Sequence, residues 1–226
     1  IIQKLTNQMD NSKHPQMVRR NIVRTYFYRG DYTNKEKTIG QITTLMEQNI
    51  LEEPNNERNF FLWFKAARYS KYLRIDEILA KLAQWSSLSP SIDVTFYHYV
   101  FYAIKALNGS SIAAQTCRRL IEECKNKGGN KKIGIREWYG KAPQKLLSNL
   151  DVKPSDNQDA FYRVEGVVSG YEHAGAAKII TDQGLEVFFN PGKNNITKDN
   201  LNSSVTFFLG FSYDGLRAEN VELNQE

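Results

Sequence analysis

Two kinds of hydrophobic pattern divide this chain. Before about residue 128, apolar residues recur every three or four positions, as at Ile39, Ile42 and Met46, which is the period of an amphipathic α-helix. After residue 160, apolar and polar residues alternate, as they do in half-buried β-strands. The pattern predicts an α+β protein with two domains, in which a helical domain precedes a smaller β-domain.

Six helices are predicted between residues 14 and 127. The breaks between them fall at residues that stop helices, and these include Gly30, Pro54, Pro90 and Gly109. Helices of roughly 14–18 residues in close succession are what stacked helical hairpins require. One pair follows the next after about 36–38 residues, near the ~34-residue period of tetratricopeptide repeats. We therefore predict a tetratricopeptide-like helical solenoid over residues 1–150, although the Trp-x-x-Leu-Gly-x-x-Tyr signature of that repeat is absent.

Aromatic residues are concentrated on the apolar sides of these predicted helices. Trp63, Phe64, Trp85 and Phe101 all fall on apolar stripes. Large aromatic side chains at such positions usually form the core, because they bury more apolar surface than any other residue. We predict that all four are core residues of the helical domain.

The β-domain, residues 151–226, contains a recognisable order of strands. Residues 162–168 read Tyr-Arg-Val-Glu-Gly-Val-Val, and they are followed by Val-Phe-Phe at 187–189, Val-Thr-Phe-Phe-Leu-Gly-Phe at 205–211 and Arg-Ala-Glu-Asn-Val at 217–221. This order resembles the cold-shock type of OB-fold barrel over residues 161–223. The resemblance implies a small five-stranded barrel, and it implies binding of single-stranded nucleic acid, which is what that family does.

The resemblance also suggests which residues would contact bases. In cold-shock domains, aromatic residues on two neighbouring strands stack on bases, and one of their aromatic runs aligns with residues 175–179, where both phenylalanines are missing. The other run aligns with residues 187–191, where it keeps its first aromatic residue, Phe188, and loses its histidine and its last phenylalanine. The candidates that remain are Tyr171, Lys178 and Phe188. Because each stacked base contributes only about 1–3 kcal/mol, the alternative is that the barrel is a structural or docking unit.

Charge is distributed unevenly between the two domains. Residues 1–150 contain 24 basic and 13 acidic residues, a balance of +11, whereas residues 151–226 contain 6 basic and 12 acidic residues, a balance of −6. Since Lys and Arg neutralise phosphates, we expect phosphate contacts to come from the helical part and from a basic linker that starts at about residue 128. The candidates are Arg118, Arg119, Lys125, Lys127, Lys131, Lys132 and Arg136. The alternative is that these side chains are ordinary solvated surface.

Several other classes of protein find no support. The chain has no phosphate-binding loop, no Gly-x-Ser-x-Gly elbow and no His-Glu-x-x-His motif, so we expect neither catalysis nor a cofactor. Cys117, Cys124 and the three histidines do not cluster at metal-ligand spacing, so no metal site is expected. No apolar run approaches the roughly 20 residues that cross a bilayer, so membrane insertion is not expected. Two unpaired thiols suit a reducing compartment, and we expect a cytoplasmic protein.

A helical-repeat tract followed by a degenerate OB barrel resembles the tail of the large sterile-alpha-motif-containing antiviral proteins and their bacterial relatives among the P-loop defence NTPases. Because the chain begins Ile1-Ile2, we expect further domains upstream. The resemblance implies a non-catalytic recognition module of a larger innate-immune protein that binds RNA or single strands. The alternative is a protein-interaction or autoinhibitory scaffold, whose partner is another domain of the same chain or a separate protein.

Overall fold

The computed structural model describes residues 1–9, 11–30, 36–67, 74–88, 91–128, 163–173 and 175–224. The chain divides into two compact units, Ile1–Tyr97 and His98–Glu226. The predicted domain boundary near residue 150 and the basic linker that precedes it lie outside the described residues, so both stay predictions.

Helices occupy nearly all of the described part of the chain up to residue 128. They are α1 (Ile2–Met9), α2 (Pro15–Tyr28), α3 (Glu36–Glu52), α4 (Glu57–Ala67), α5 (Ile75–Leu88), α6 (Ile92–Leu107) and α7 (Ser111–Gly128). The six helices predicted from the sequence are therefore confirmed. The additional helix, α1, is only 8 residues long and none of its residues is buried, which is why its short apolar pattern was not recognised.

Aromatic residues form the core of the first unit. Trp63 is 0% exposed, and its ring meets that of Trp85 edge to face at 4.7 Å between centroids. The ring of Phe64 stacks on that of Tyr97 at 4.0 Å. Trp63, Phe64, Trp85 and, in the second unit, Phe101 are all buried, which confirms the four predicted core residues.

A network of buried polar side chains joins α2 to α3. The Arg19 guanidinium is 3% exposed and donates hydrogen bonds to Asn49 Oδ1 at 2.8 Å and to both Glu52 oxygens at 2.9 and 3.0 Å. Arg20 forms an ion pair with Glu53. Burial alone would raise the pKa of the Glu53 carboxyl, but hydrogen bonds from Arg20 and Asn56 outweigh that effect and lower the pKa. These arginines stabilise the helical core.

The second unit contains a closed five-stranded barrel. Its strands are β1 (Val164–His173), β2 (Ala176–Ile180), β3 (Glu186–Phe189), β4 (Ser204–Ser212) and β5 (Gly215–Leu223). They lie in the order β1-β2-β3-β5-β4, and β4 pairs with β1 to close the barrel. The β3–β5 pairing is parallel and the others are antiparallel. The α+β prediction, with helices followed by a five-stranded barrel, is confirmed.

Gly166 allows β1 and β2 to approach each other closely. A Cβ at this position would lie 2.6 Å from Ile179 Cγ2 and 2.8 Å from the Ile180 carbonyl oxygen. Both distances are shorter than van der Waals contact, so any larger residue would push the strands apart. This explains why a glycine stands inside β1, near its start.

Within the second unit, α7 and the part of α6 from His98 onward cover one end of the barrel. The Tyr99 hydroxyl donates a hydrogen bond to the Ser212 carbonyl oxygen at the β4–β5 turn, and the Tyr99 ring lies 6.4 Å from that of Phe211. Ile121 Cγ2 lies 3.2 Å from the position that a Cβ on Gly215 would take. The opposite end of the barrel, where β1 meets β2 and β3 ends, borders the site described next.

Candidate nucleic-acid interface

Phe188 lies between two cations on the outer surface of the barrel. The strand register pairs it with Lys178 on β2 and with Arg217 on β5. Lys178 Nζ lies 5.1 Å from the centroid of the Phe188 ring and Arg217 Cζ lies 5.4 Å from it, both within the range of cation–π attraction. Its neighbours Val187 and Phe189 are buried in the barrel, so alternation along β3 places Phe188 on the outside. We call Lys178, Phe188 and Arg217 the Phe188 row.

The Phe188 row ends in glycines on both sides. Lys178 pairs with Gly170 on β1, and Arg217 pairs with Gly210 on β4. Neither glycine has a side chain that could stack on a base. The row therefore offers one aromatic ring, as the missing phenylalanines of the sequence implied.

The sequence-predicted base contacts are only partly brought together. Lys178 and Phe188 are neighbours, but Tyr171 pairs with Ala177, which in turn pairs with Phe189. Ala177 and Phe189 are buried, so the register places Tyr171 on the face opposite to Phe188. Arg217 was missed, because the parallel β3–β5 pairing that brings it to Phe188 leaves no local signal in the sequence.

The cations of the Phe188 row have acidic partners near the solvent. Lys178 Nζ lies 3.4 Å from Glu186 Oε1, and Arg217 Nη2 lies 3.7 Å from Asp214 Oδ2. The carboxylate side chains are 41% and 61% exposed. Exposed ion pairs of this kind contribute about 0–1 kcal/mol, so a phosphate can replace either carboxylate at small cost.

A groove of about 920 Å³ borders Phe188 and Arg217. Its floor and rim also include Asn190, Lys193 and Asn194. The Asn194 amide holds the loop in shape, since Oδ1 accepts a hydrogen bond from the backbone N–H of Val221 at 2.9 Å and Nδ2 donates one to the Asn190 carbonyl oxygen at 2.7 Å. Lys193 is exposed. The groove is thus held in shape by the loop, has a mixed polar and apolar lining, and carries the cations Lys193 and Arg217 together with the carboxylate of Glu219.

A second cation–aromatic pair on the barrel serves the fold. Arg163 Cζ lies 4.7 Å from the centroid of the Phe208 ring. The guanidinium also donates hydrogen bonds to the carbonyl oxygens of Thr206 and Asn220 at 3.2 and 2.7 Å and forms an ion pair with Glu222 at 3.1 Å. Arg163 directly precedes β1, so these hydrogen bonds hold the start of β1 against β4 and β5.

The basic side chains on α7 that were predicted to contact phosphates differ in whether they form ion pairs within the helix. Arg119 lies 3.7 Å and Lys127 2.8 Å from Glu123, and Lys125 lies 2.6 Å from Glu122. The spacing of three or four residues puts each pair on the same side of the helix. Arg118 is exposed, and within the described part of the chain it makes no ion pair. Lys131, Lys132 and Arg136 lie outside the described residues.

Two buried titratable groups add no charge to this surface. Burial lowers the pKa of His98 from its usual value near 6.5 to about 4, with a smaller contribution in the same direction from Arg119 and an opposing one from Glu123. His98 is therefore neutral at pH 7. Burial raises the pKa of the Cys117 thiol, so the reactive thiolate does not form. Both Cys117 and Cys124 are buried, and neither belongs to a disulfide in the described part of the chain.

In the described ranges, no three His, Cys, Asp or Glu residues are grouped so that they could hold a metal ion. No helix in those same ranges has both the length and the apolar character needed to cross a membrane.

Comparison of the chain with known protein families, with curated proteins and with solved structures found no match in any of the three. Function must accordingly be inferred from the geometry of the site.

Proposed function

We propose that this chain is a non-catalytic module that binds single-stranded RNA or DNA. The observation that carries the proposal is the Phe188 row, in which an outward aromatic ring lies between two cations beside a groove of mixed polar and apolar lining. An aromatic ring can stack on any base, and cations beside it can bind the flanking phosphates. The strand order β1-β2-β3-β5-β4 supports an OB-fold-like barrel, in which the β2–β3 face is the usual ligand surface.

Phosphate contacts supply most of the affinity in this proposal. One stacked base contributes about 1–3 kcal/mol, which alone gives weak binding. Lys193 and the cations of the Phe188 row bind the phosphates near the groove. Basic residues of the linker, and those of α7 that are not paired with Glu122 or Glu123, extend the contact. Since each neutralised phosphate adds about −0.7 to the log–log salt slope of a single strand, binding is strongly salt-dependent.

We also propose an arrangement for the helices and a larger protein to which the chain belongs. Successive contacts of α1 with α2, α2 with α3 and α3 with α4 support a tetratricopeptide-like arrangement of hairpins. On the resemblance to the antiviral proteins, we place this chain at the C-terminal recognition end of a larger cytoplasmic defence protein. Pull-down of RNA from infected cells by the full-length protein, with and without residues 163–224, tests that placement.

One observation favours a second function, a protein-interaction or autoinhibitory scaffold. Three of the four cations on α7 that the sequence suggested for phosphates are already paired with Glu122 or Glu123. If these pairs persist, the helix presents a mixed surface that suits a protein partner better than a polyanion. Absence of RNA and DNA binding even at low salt would favour this function.

Replacing Phe188 with Ala should weaken binding of a labelled oligouridine by about fivefold or more, the equivalent of at least 1 kcal/mol, because it removes the one stacking ring. Phe188→Tyr keeps a ring and should bind as the unmodified chain does. Fluorescence anisotropy on the intact chain measures both dissociation constants.

Phe208→Ala is the matched control for Phe188→Ala. It removes an equally large ring from the same barrel, but that ring does not line the groove. Binding should therefore stay within about twofold of the unmodified chain. Equal losses in the two alanine variants, or no loss at Phe188, would show that the Phe188 row is not the base-contacting surface.

A further inference from the structure

Arg118 stands apart from the other cations of α7. Arg119, Lys125 and Lys127 each lie within 3.7 Å of a glutamate oxygen on the same helix. Arg118 is exposed, and it has neither an ion pair nor a hydrogen bond to the residues that the structure describes. An unpaired guanidinium is a strong donor for phosphate, because its planar N–H groups match two phosphate oxygens at once.

Arg118 also lies beside the barrel, at the turn that joins β2 to β3. Arg118 Nη2 is 3.6 Å from the position that a Cβ on Gly184 would occupy. Gly184 has a φ of +80°, a backbone conformation that glycine adopts without strain. A distance of 3.6 Å is ordinary van der Waals contact, so the guanidinium lies directly against the turn. The β2–β3 ribbon therefore has Arg118 at one end and the groove with Lys193 at the other.

The length of this ribbon sets the size of a ligand that could contact both ends. Residues 184–190 run from the turn to Asn190, past Phe188 on the near side of the groove. This stretch is about 20 Å long at the usual rise of a β-strand. A single strand with the roughly 3.4 Å rise of stacked bases covers that distance with about six nucleotides, and a more extended strand with about four. This range fits the ~4–16 nucleotides that one OB-fold holds.

Acidic side chains lie along the ribbon between its two ends. Glu186 faces Lys178 at 3.4 Å, and Asp182 in the turn is exposed. Carboxylates repel phosphates, so a strand gains little in the middle of the ribbon beyond the Phe188 row. For that reason, a phosphate contact at the Gly184 end of the ribbon would add more to the affinity than one in its middle.

We infer that Arg118 binds the far phosphate of a single strand that runs along the β2–β3 ribbon from the groove to α7. The inference rests on the proposed function. It adds the route that the strand takes across the barrel, the phosphate contact at its far end and the length of the ligand. Short oligonucleotides reach only the groove and the Phe188 row. Longer ones also reach Arg118 and bind more tightly.

The test compares Arg118→Ala with Arg119→Ala in the intact chain, using labelled oligouridines of three and eight nucleotides. Arg118→Ala should bind the trimer as the unmodified chain does and the octamer about fivefold more weakly, with a log–log salt slope that is flatter by about 0.7. Arg119→Ala removes a neighbouring charge that is paired with Glu123, so it should leave both affinities within about twofold. Arg118→Lys keeps the charge and should restore the slope.

Each outcome separates this inference from the proposed function. Three results would overturn the path to α7: unchanged octamer binding in Arg118→Ala, an equal loss of trimer and octamer binding in that variant, or an equal loss in Arg119→Ala. In each case the proposed function still stands, because the unmodified chain binds the oligonucleotides. If the unmodified chain binds neither oligonucleotide at low salt, the proposed function itself fails. Thermal melts of the variants by circular dichroism identify any loss that comes from unfolding.

Discussion

Trp63→Ala should lower the free energy of unfolding of the helical part by about 3–5 kcal/mol. Trp63 is 0% exposed, its ring packs edge to face on that of Trp85, and its Nε1 donates a hydrogen bond to Glu47 Oε1 at 3.0 Å. The alanine variant leaves a cavity and an acceptor with one partner fewer. Urea unfolding followed by circular dichroism at 222 nm measures the change.

Phe61→Ala is the control for Trp63→Ala. Phe61 lies two residues earlier on the same helix, but its side chain is 43% exposed. Its removal should cost about 1 kcal/mol or less. A change near zero for Trp63→Ala, or equal changes in the two variants, would contradict the assignment of the core.

Arg19→Met should lower the free energy of unfolding by about 3 kcal/mol. Arg19 is buried and donates hydrogen bonds to Asn49 and to both oxygens of Glu52, and removal of one partner of a buried ion pair leaves the other uncompensated, at about 3–5 kcal/mol. Glu52 is 32% exposed and can turn partly to water, so the low end of this range applies. The same urea experiment measures the change.

Arg24→Met tests whether that effect belongs to the buried network or to charge on α2 in general. Arg24 lies on the same helix and is exposed, so its replacement should change stability by about 0.5 kcal/mol or less. If Arg19→Met were as mild as Arg24→Met, the Arg19 network would not hold α2 against α3.

The sequence was sufficient for the elements whose signal is local. Helices α2 to α7 have apolar residues at helical spacing and clear stop residues, and the barrel strands alternate between apolar and polar residues, so both parts were predicted. Helix α1 was missed because 8 residues with no buried side chain leave too short a pattern. The pairing of β4 with β1 that closes the barrel joins segments distant in sequence, so no local pattern predicts it.

The site was less predictable, because it depends on contacts between distant residues. Lys178 and Phe188 follow from the resemblance to cold-shock domains, but Arg217 joins them only through the parallel β3–β5 pairing. Tyr171 is close to Lys178 in sequence, yet a register shift in β1 puts it on the other face. The sequence also could not distinguish Arg118 from Arg119. Arg119 pairs with Glu123 on the helix surface, whereas Arg118 lies against the distant turn at Gly184.

Salt titration of the unmodified 226-residue chain with a labelled oligouridine tests the central claim most directly. The proposal expects binding at about 20 mM salt that weakens with a log–log slope of about −2 or steeper, because three or more phosphates are neutralised at about 0.7 each. Affinity should then fall about 100-fold or more by about 200 mM salt. No detectable binding at the lowest salt, or an affinity that does not change with salt, would contradict nucleic-acid binding by this chain.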